Sequence, residues 1–146
     1  MLTHLIIAVG LVLLTVILHA AFTAALISWL RTPLGRRWAT GRTALRVAVL
    51  GVAVAGLTVL SFVEATLWAA VYVWLGAMTS LHEAIYFSLV TFTTLGYGDV
   101  TLSESWRLLG ALESTNGIII FGWSTALVVT LLQRILIADS SDDATS

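Results

Sequence analysis

Charge is scarce in this chain. Only 7 of its 146 residues are basic and 8 acidic, and every basic residue is an arginine. Cysteine is absent, which excludes a disulfide framework and any thiol-based site. Proline occurs once, at Pro33, so little interrupts helix formation elsewhere. There is no internal repeat, no phosphate- or dinucleotide-binding glycine motif, no metal-ligand spacing and no convincing hydrolase triad. No cofactor is expected, and with a net charge of −1 no nucleic-acid partner either.

What the chain has instead is apolar length. It is 59% hydrophobic with a mean hydropathy of +1.00, more than a soluble fold of this size can carry on its surface. A hydrocarbon core asks for about 20 apolar residues per helical span. Leu2–Leu30, Leu45–Gly76 and Leu108–Leu132 meet that length. A cleaved leader would carry a basic start and a shorter apolar run, so the first stretch reads as a retained span. The expected class is an all-α membrane protein of one domain.

Five of the seven arginines (Arg31, Arg36, Arg37, Arg42 and Arg46) lie in or beside the link between the first two spans. The positive-inside rule puts that link in the cytoplasm of a cell-membrane protein, the amino terminus outside and the carboxyl terminus inside. Arg134 agrees and Arg107 is the outward exception. Arg36, Arg37 and Arg42 could also attract anionic lipid. The linker covers 31–44 and the first span 1–30; the last residues, 135–146, read as a disordered acidic cytoplasmic tail.

The second span, 45–76, carries Trp68, Tyr72 and Trp74 toward its outer end, the composition of an interfacial aromatic belt. Ser80 and Glu83 then have capping-box spacing, and predict a helix over about 80–93. At roughly 18 Å it is too short to cross a bilayer and must enter and return. The next residues, Thr94-Leu95-Gly96-Tyr97-Gly98-Asp99, interrupt the apolar pattern. Irregular backbone at membrane depth is tolerated only where it is buried in protein or lines a watery path. Glycines alternating with ordinary residues allow alternating backbone handedness, and hence successive carbonyls turned to one side. Four such segments around an axis would stack rings of oxygens able to replace the hydration shell of K+, with the Thr94 hydroxyl adding a lower ring.

The string TTLGYGD (Thr93–Asp99) resembles the potassium-channel filter, whose usual form is T-V-G-Y-G. GIIIFGWSTA (Gly117–Ala126) resembles the inner-helix pattern of simple bacterial potassium channels with a two-helix pore. The resemblance covers about residues 45–134, as outer helix 45–76, pore helix 80–93, filter 94–99 and inner helix 106–134, preceded by one extra helix. It implies a homotetrameric K+ channel, with K+ held at Thr94, Leu95, Gly96 and Tyr97 and the filter completed by Gly98. It further implies that Thr91 and Tyr97 brace the filter from behind and that Asp99 marks the outer mouth, within reach of the Tyr86 hydroxyl. On the inner helix it turns Ile118, Phe121 and Thr125 toward a cavity. Gly117 matches a hinge glycine, with close helix packing as the alternative reading; Gly122 looks like a packing glycine. Leu95 stands where the family usually has valine, and Phe87 and Val90 leave two of the family's filter-supporting polar positions empty.

Glu64 and Glu113 lie within spans, where a carboxylate costs about 2.5–3.5 kcal/mol on insertion scales, so each needs a partner or a proton. Glu113 is placed to meet the pore helix, and Glu64 to pair across helices; bracing and gating are both open roles. His82, at the outer start of the pore helix, could titrate near neutral pH. A non-conducting relative and a membrane enzyme are the competing classes. The second has only Glu64 with Glu113 as a candidate pair.

Overall fold

The computed structural model describes the backbone of residues 2–143 and the side chains of residues 3–134. Five α-helices follow one another: α1 (Leu2–Arg31), α2 (Pro33–Ala39), α3 (Thr43–Trp74), α4 (Leu81–Phe92) and α5 (Arg107–Asp143), with a 3-10 turn at Glu104–Trp106 before the last. No strand occurs among the described residues. Three apolar stretches are long enough to span a membrane: Thr3–Arg31, Thr43–Trp74 and Glu104–Arg134. The protein is thus an all-α membrane protein with three spans, α1, α3 and α5.

Composition marks α1 as a retained span and no more. It buries one stripe, Ala8, Leu11, Thr15 and His19, at helical spacing, while Ile6, Leu13 and Ile17 stay exposed. Apolarity is nearly uniform around this helix, so hydropathy gave no sign of which face packs. Thr32 accepts a hydrogen bond from the Gly35 amide at 3.0 Å and Pro33 takes the first helical position, which starts α2. α3 follows a break at Thr40-Gly41 that Arg46 secures, its Nε donating to the Gly41 carbonyl at 2.8 Å.

α3 ends at Leu75-Gly76, where Gly76 adopts φ +72° to turn the chain. Ser80 caps α4 by accepting from the Glu83 amide at 3.4 Å, so the short helix starts where its sequence signal lies. α4 wedges between α3 and α5. Trp68, Ala69 and Tyr72 from α3, Ala84, Phe87 and Phe92 from α4, and Leu109 and Ile120 from α5 form one core with Ala8 and Leu11 of α1. Trp68 and Tyr72 are fully buried in it. Only Trp74 of the expected aromatic belt is exposed, because α1 and α4 cover the face that carries the other two. Nearer the basic linker a smaller cluster, Ala53, Leu57, Leu127 and Leu131, joins α3 to α5. The backbone of α5 continues beyond Arg134 to Asp143; the tail expected over 135–146 lies outside the residues whose side chains are described.

Candidate functional site

The segment after α4 is built on that helix's last turn. Three successive amides point back into it: Thr94 N–H to the Thr91 carbonyl at 2.9 Å, and Leu95 and Gly96 N–H to the Val90 carbonyl at 3.0 and 3.1 Å. No peptide bond among the described residues is cis. In a trans peptide the N–H of one residue is antiparallel to the carbonyl of the residue before it. The carbonyls of Thr93, Thr94 and Leu95 therefore point away from α4, all on the same side.

Backbone handedness alternates as the sequence pattern allows. Thr94, Gly96 and Gly98 have φ of +59°, +61° and +78°. Thr94 is the one described non-glycine residue at positive φ, a conformation of modest cost for which glycine would be the easier choice. Apart from these backbone bonds to α4, the segment stands exposed on the subunit. Leu95 is 55% exposed and Tyr97 67%, and a Cβ on Gly96 or Gly98 would meet no atom within 4 Å. Tyr97 is thus largely open on the subunit surface, and Thr91 contributes its carbonyl to the turn.

At the far end of the segment, Tyr86 of α4 donates to Asp99 Oδ2 at 2.6 Å, and the Val100 amide donates to Asp99 Oδ1 at 3.0 Å. The Tyr86 hydrogen bond is the main reason the Asp99 carboxyl sits below the usual carboxylate range; the same bond raises the Tyr86 hydroxyl. His82 is exposed at the start of α4.

Where the segment leaves α4, Gly117 of α5 is pressed against that helix's last turn. A Cβ there would lie 1.9 Å from the Phe92 carbonyl oxygen. Close packing is what this glycine does in the subunit. Gly122, read from sequence as a packing glycine, has open space around it. Phe121 packs edge-to-face on Phe92 with ring centroids 6.0 Å apart. Phe121 and Thr125 line a groove of about 390 Å³ with Thr93 and the α3 residues Thr58 and Ser61. Ile118 is 60% exposed beside this groove without lining it.

Behind the irregular segment lies a polar seam. Glu113 is fully buried and bonded to Tyr72 of α3 at 2.5 Å and to Ser88 of α4. Glu64 pairs with His19 of α1, Oε1 to Nδ1 at 3.2 Å, and His19 Nε2 meets the Ser124 hydroxyl of α5 at 3.2 Å. Between the two, Asn116 donates to Thr15 at 2.8 Å. Glu64 and Glu113 thus reach different partners, on different helices. Ser88, Thr15, Asn116 and Ser124 were not singled out from sequence, Tyr72 was read only as part of an aromatic belt, and His19 was given no role. Their signal was polar residues three or four apart inside apolar spans, as in Thr15 with His19 and Glu113 with Asn116. No cluster of three or more metal-ligating side chains occurs among the described residues.

An ion-channel family model matches residues 59–134, just over half of the chain. That stretch runs from the middle of α3 through the irregular segment to the end of the third span. No curated protein and no solved structure matches the chain.

Proposed function

Because the chain belongs to the ion-channel family and is a channel-type membrane protein, we propose that it conducts K+ selectively and passively as a homotetramer. Residues 94–98 of four subunits surround one axis, and carbonyls of Thr94, Leu95, Gly96 and Tyr97 replace the water around a dehydrated K+. The observation that carries this reading is the set of amides from Thr94 to Gly96 bonded back to α4, which leaves the preceding carbonyls on the opposite side. Polar backbone of this kind at membrane depth, with no cover from its own subunit, calls for neighbours and a watery path. Lipid can cover the exposed valines of α3, but it cannot hydrogen-bond a row of carbonyls.

The groove under the filter, with Phe121 and Thr125 on its wall, belongs to the inner vestibule or to the seam with the next subunit. Gly117 fixes α5 against the pore helix, and bending at this point opens or closes the inner mouth. The arginine-rich end faces the cytoplasm. There Arg36 and Arg134 border a pocket of about 170 Å³ walled by Leu30, Val49 and Leu131, which suits an anionic lipid headgroup. Arg37 and Arg42 stand outside that pocket and act through general attraction.

The deciding experiment is flux from liposomes containing purified protein, with K+ and Na+ compared in the same preparation. K+ flux that exceeds Na+ flux at least tenfold and is blocked by Ba2+ is the expected result. Equal flux of both ions, or none, overturns the reading and favours a non-conducting relative that keeps the pore-like fold.

A further inference from the structure

Ser88 stands in the middle of α4, and its hydroxyl has one hydrogen to give. It makes two close contacts: with the Ala65 carbonyl of α3 at 2.5 Å, and with Oε1 of Glu113 on α5. A carbonyl oxygen can only accept. Suppose Ser88 donates to Ala65: its lone pair then faces Glu113, and an ionised carboxylate would set acceptor against acceptor. Suppose Ser88 donates to Glu113 instead: the Ser88 and Ala65 oxygens then meet at 2.5 Å with no hydrogen between them, a separation found only within a hydrogen bond. One assignment places a hydrogen in every contact. Glu113 keeps a proton on Oε1 and donates it to Ser88, Ser88 donates to Ala65, and Oε2 accepts from the Tyr72 hydroxyl at 2.5 Å. The chain of donors begins and ends on α3, and each hydrogen is used once.

We propose that Glu113 is an uncharged acid in the working protein, a positioning residue whose proton clamps α4 between α3 and α5 and so fixes the filter. Its surroundings fit that state. Glu113 is fully buried, and among the described residues no cation reaches it. Tyr72 from α3 is the titratable group in contact; α4 contributes Ser88, and α1 contributes no ionisable group, since His19 is engaged with Glu64. That pair lies eight residues down α3 from Tyr72, roughly 12 Å along the helix. Burying an ionised carboxylate without a cation would be costly, whereas a protonated one satisfies its hydrogen bonds as a neutral group. The clamp is well placed to matter. Ser88 precedes by two residues Val90, whose carbonyl holds the Leu95 and Gly96 amides, and by one turn Phe92, which abuts Gly117.

The link to conduction rests on the channel reading above; the proton on Glu113 does not. The test therefore has two parts on the same vesicles. Infrared difference spectra of the parent protein against Glu113→Gln, at neutral pH, should show the C=O stretch of a protonated carboxylic acid lost in the variant. A carboxylate stretch lost instead overturns the proposal. In flux, Glu113→Gln should stay within about twofold of the parent, because its amide can donate to Ser88 and accept from Tyr72. Glu113→Ala should lose at least tenfold, and alkaline pH should depress the parent but not Glu113→Gln. If Glu113→Gln is as impaired as Glu113→Ala, the donor role is wrong. If the parent passes no K+, the channel reading fails while the infrared result still decides the proton.

Discussion

Replacing Gly117 by alanine adds one methyl group at the tightest approach between α5 and the backbone of α4. The new carbon would lie 1.9 Å from the Phe92 carbonyl oxygen, 2.8 Å from its carbonyl carbon and 3.2 Å from its α-carbon. Carbon and carbonyl oxygen meet no closer than about 3.3 Å, so one helix must move by roughly 1.4 Å. The obstacle is backbone at the end of α4, which cannot rotate aside as a side chain can. Overpacking of this kind costs typically about 1–3 kcal/mol, and a rigid neighbour puts Gly117→Ala at the upper end. Helix propensity offsets about 0.5–1 kcal/mol of it. A net loss of about 2 kcal/mol is expected, some 30-fold in the folded ratio, together with displacement of the segment that begins one residue after Phe92. The assay is thermal unfolding in detergent paired with K+ and Na+ flux from liposomes. Gly122→Ala is the control, since its methyl meets nothing within 4 Å, and it should remain within about 0.5 kcal/mol of the parent. If Gly117→Ala unfolds at the parent's temperature and passes K+ and Na+ in the parent's ratio, the close approach has no mechanical consequence and the reasoning fails.

Tyr86→Phe removes the donor that holds Asp99 low, so the Asp99 carboxyl should rise toward its ordinary value of about 3.9. A depressed carboxylate contributes its tie above the ordinary value and loses it as pH falls through the lowered one. The variant should therefore lose K+ flux at a higher external pH than the parent, and inactivate faster at low K+; coincident acid profiles would refute the link. His19→Leu or Glu64→Leu alone should destabilise by about 1–3 kcal/mol, between the small coupling of typical interhelical hydrogen bonds in membranes and the larger cost of breaking one side of a buried polar pair. His19→Leu with Glu64→Leu should recover most of that loss in thermal unfolding, and a double variant as unstable as the sum of the singles would show that the pair does not act as a unit. Arg36→Gln with Arg134→Gln should weaken retention of anionic lipid, measured by native mass spectrometry, several-fold more than Arg37→Gln with Arg42→Gln. Equal effects would indicate general attraction in place of a pocket.

Much of this protein is written in its composition. Three uninterrupted apolar runs with almost no charge admit only helices across a bilayer, because backbone polar groups there must be satisfied within the segment. The break at Ser80, the short helix after it and the glycine alternation at 96 and 98 are local signals, since capping and positive φ depend on the residue itself. The positions of α4 and of the irregular segment could accordingly be read before any packing was known. Which faces meet could not. The spans are apolar all round, so hydropathy did not reveal that Trp68 and Tyr72 turn inward, or that α1 carries a buried stripe. Only the packing of α1, α3, α4 and α5 brings His19 to Glu64 and Ser124, or Ser88 to Glu113 and Ala65. Those partners lie tens of residues apart along the chain, and a hydrogen bond at that separation has no local spacing to announce it.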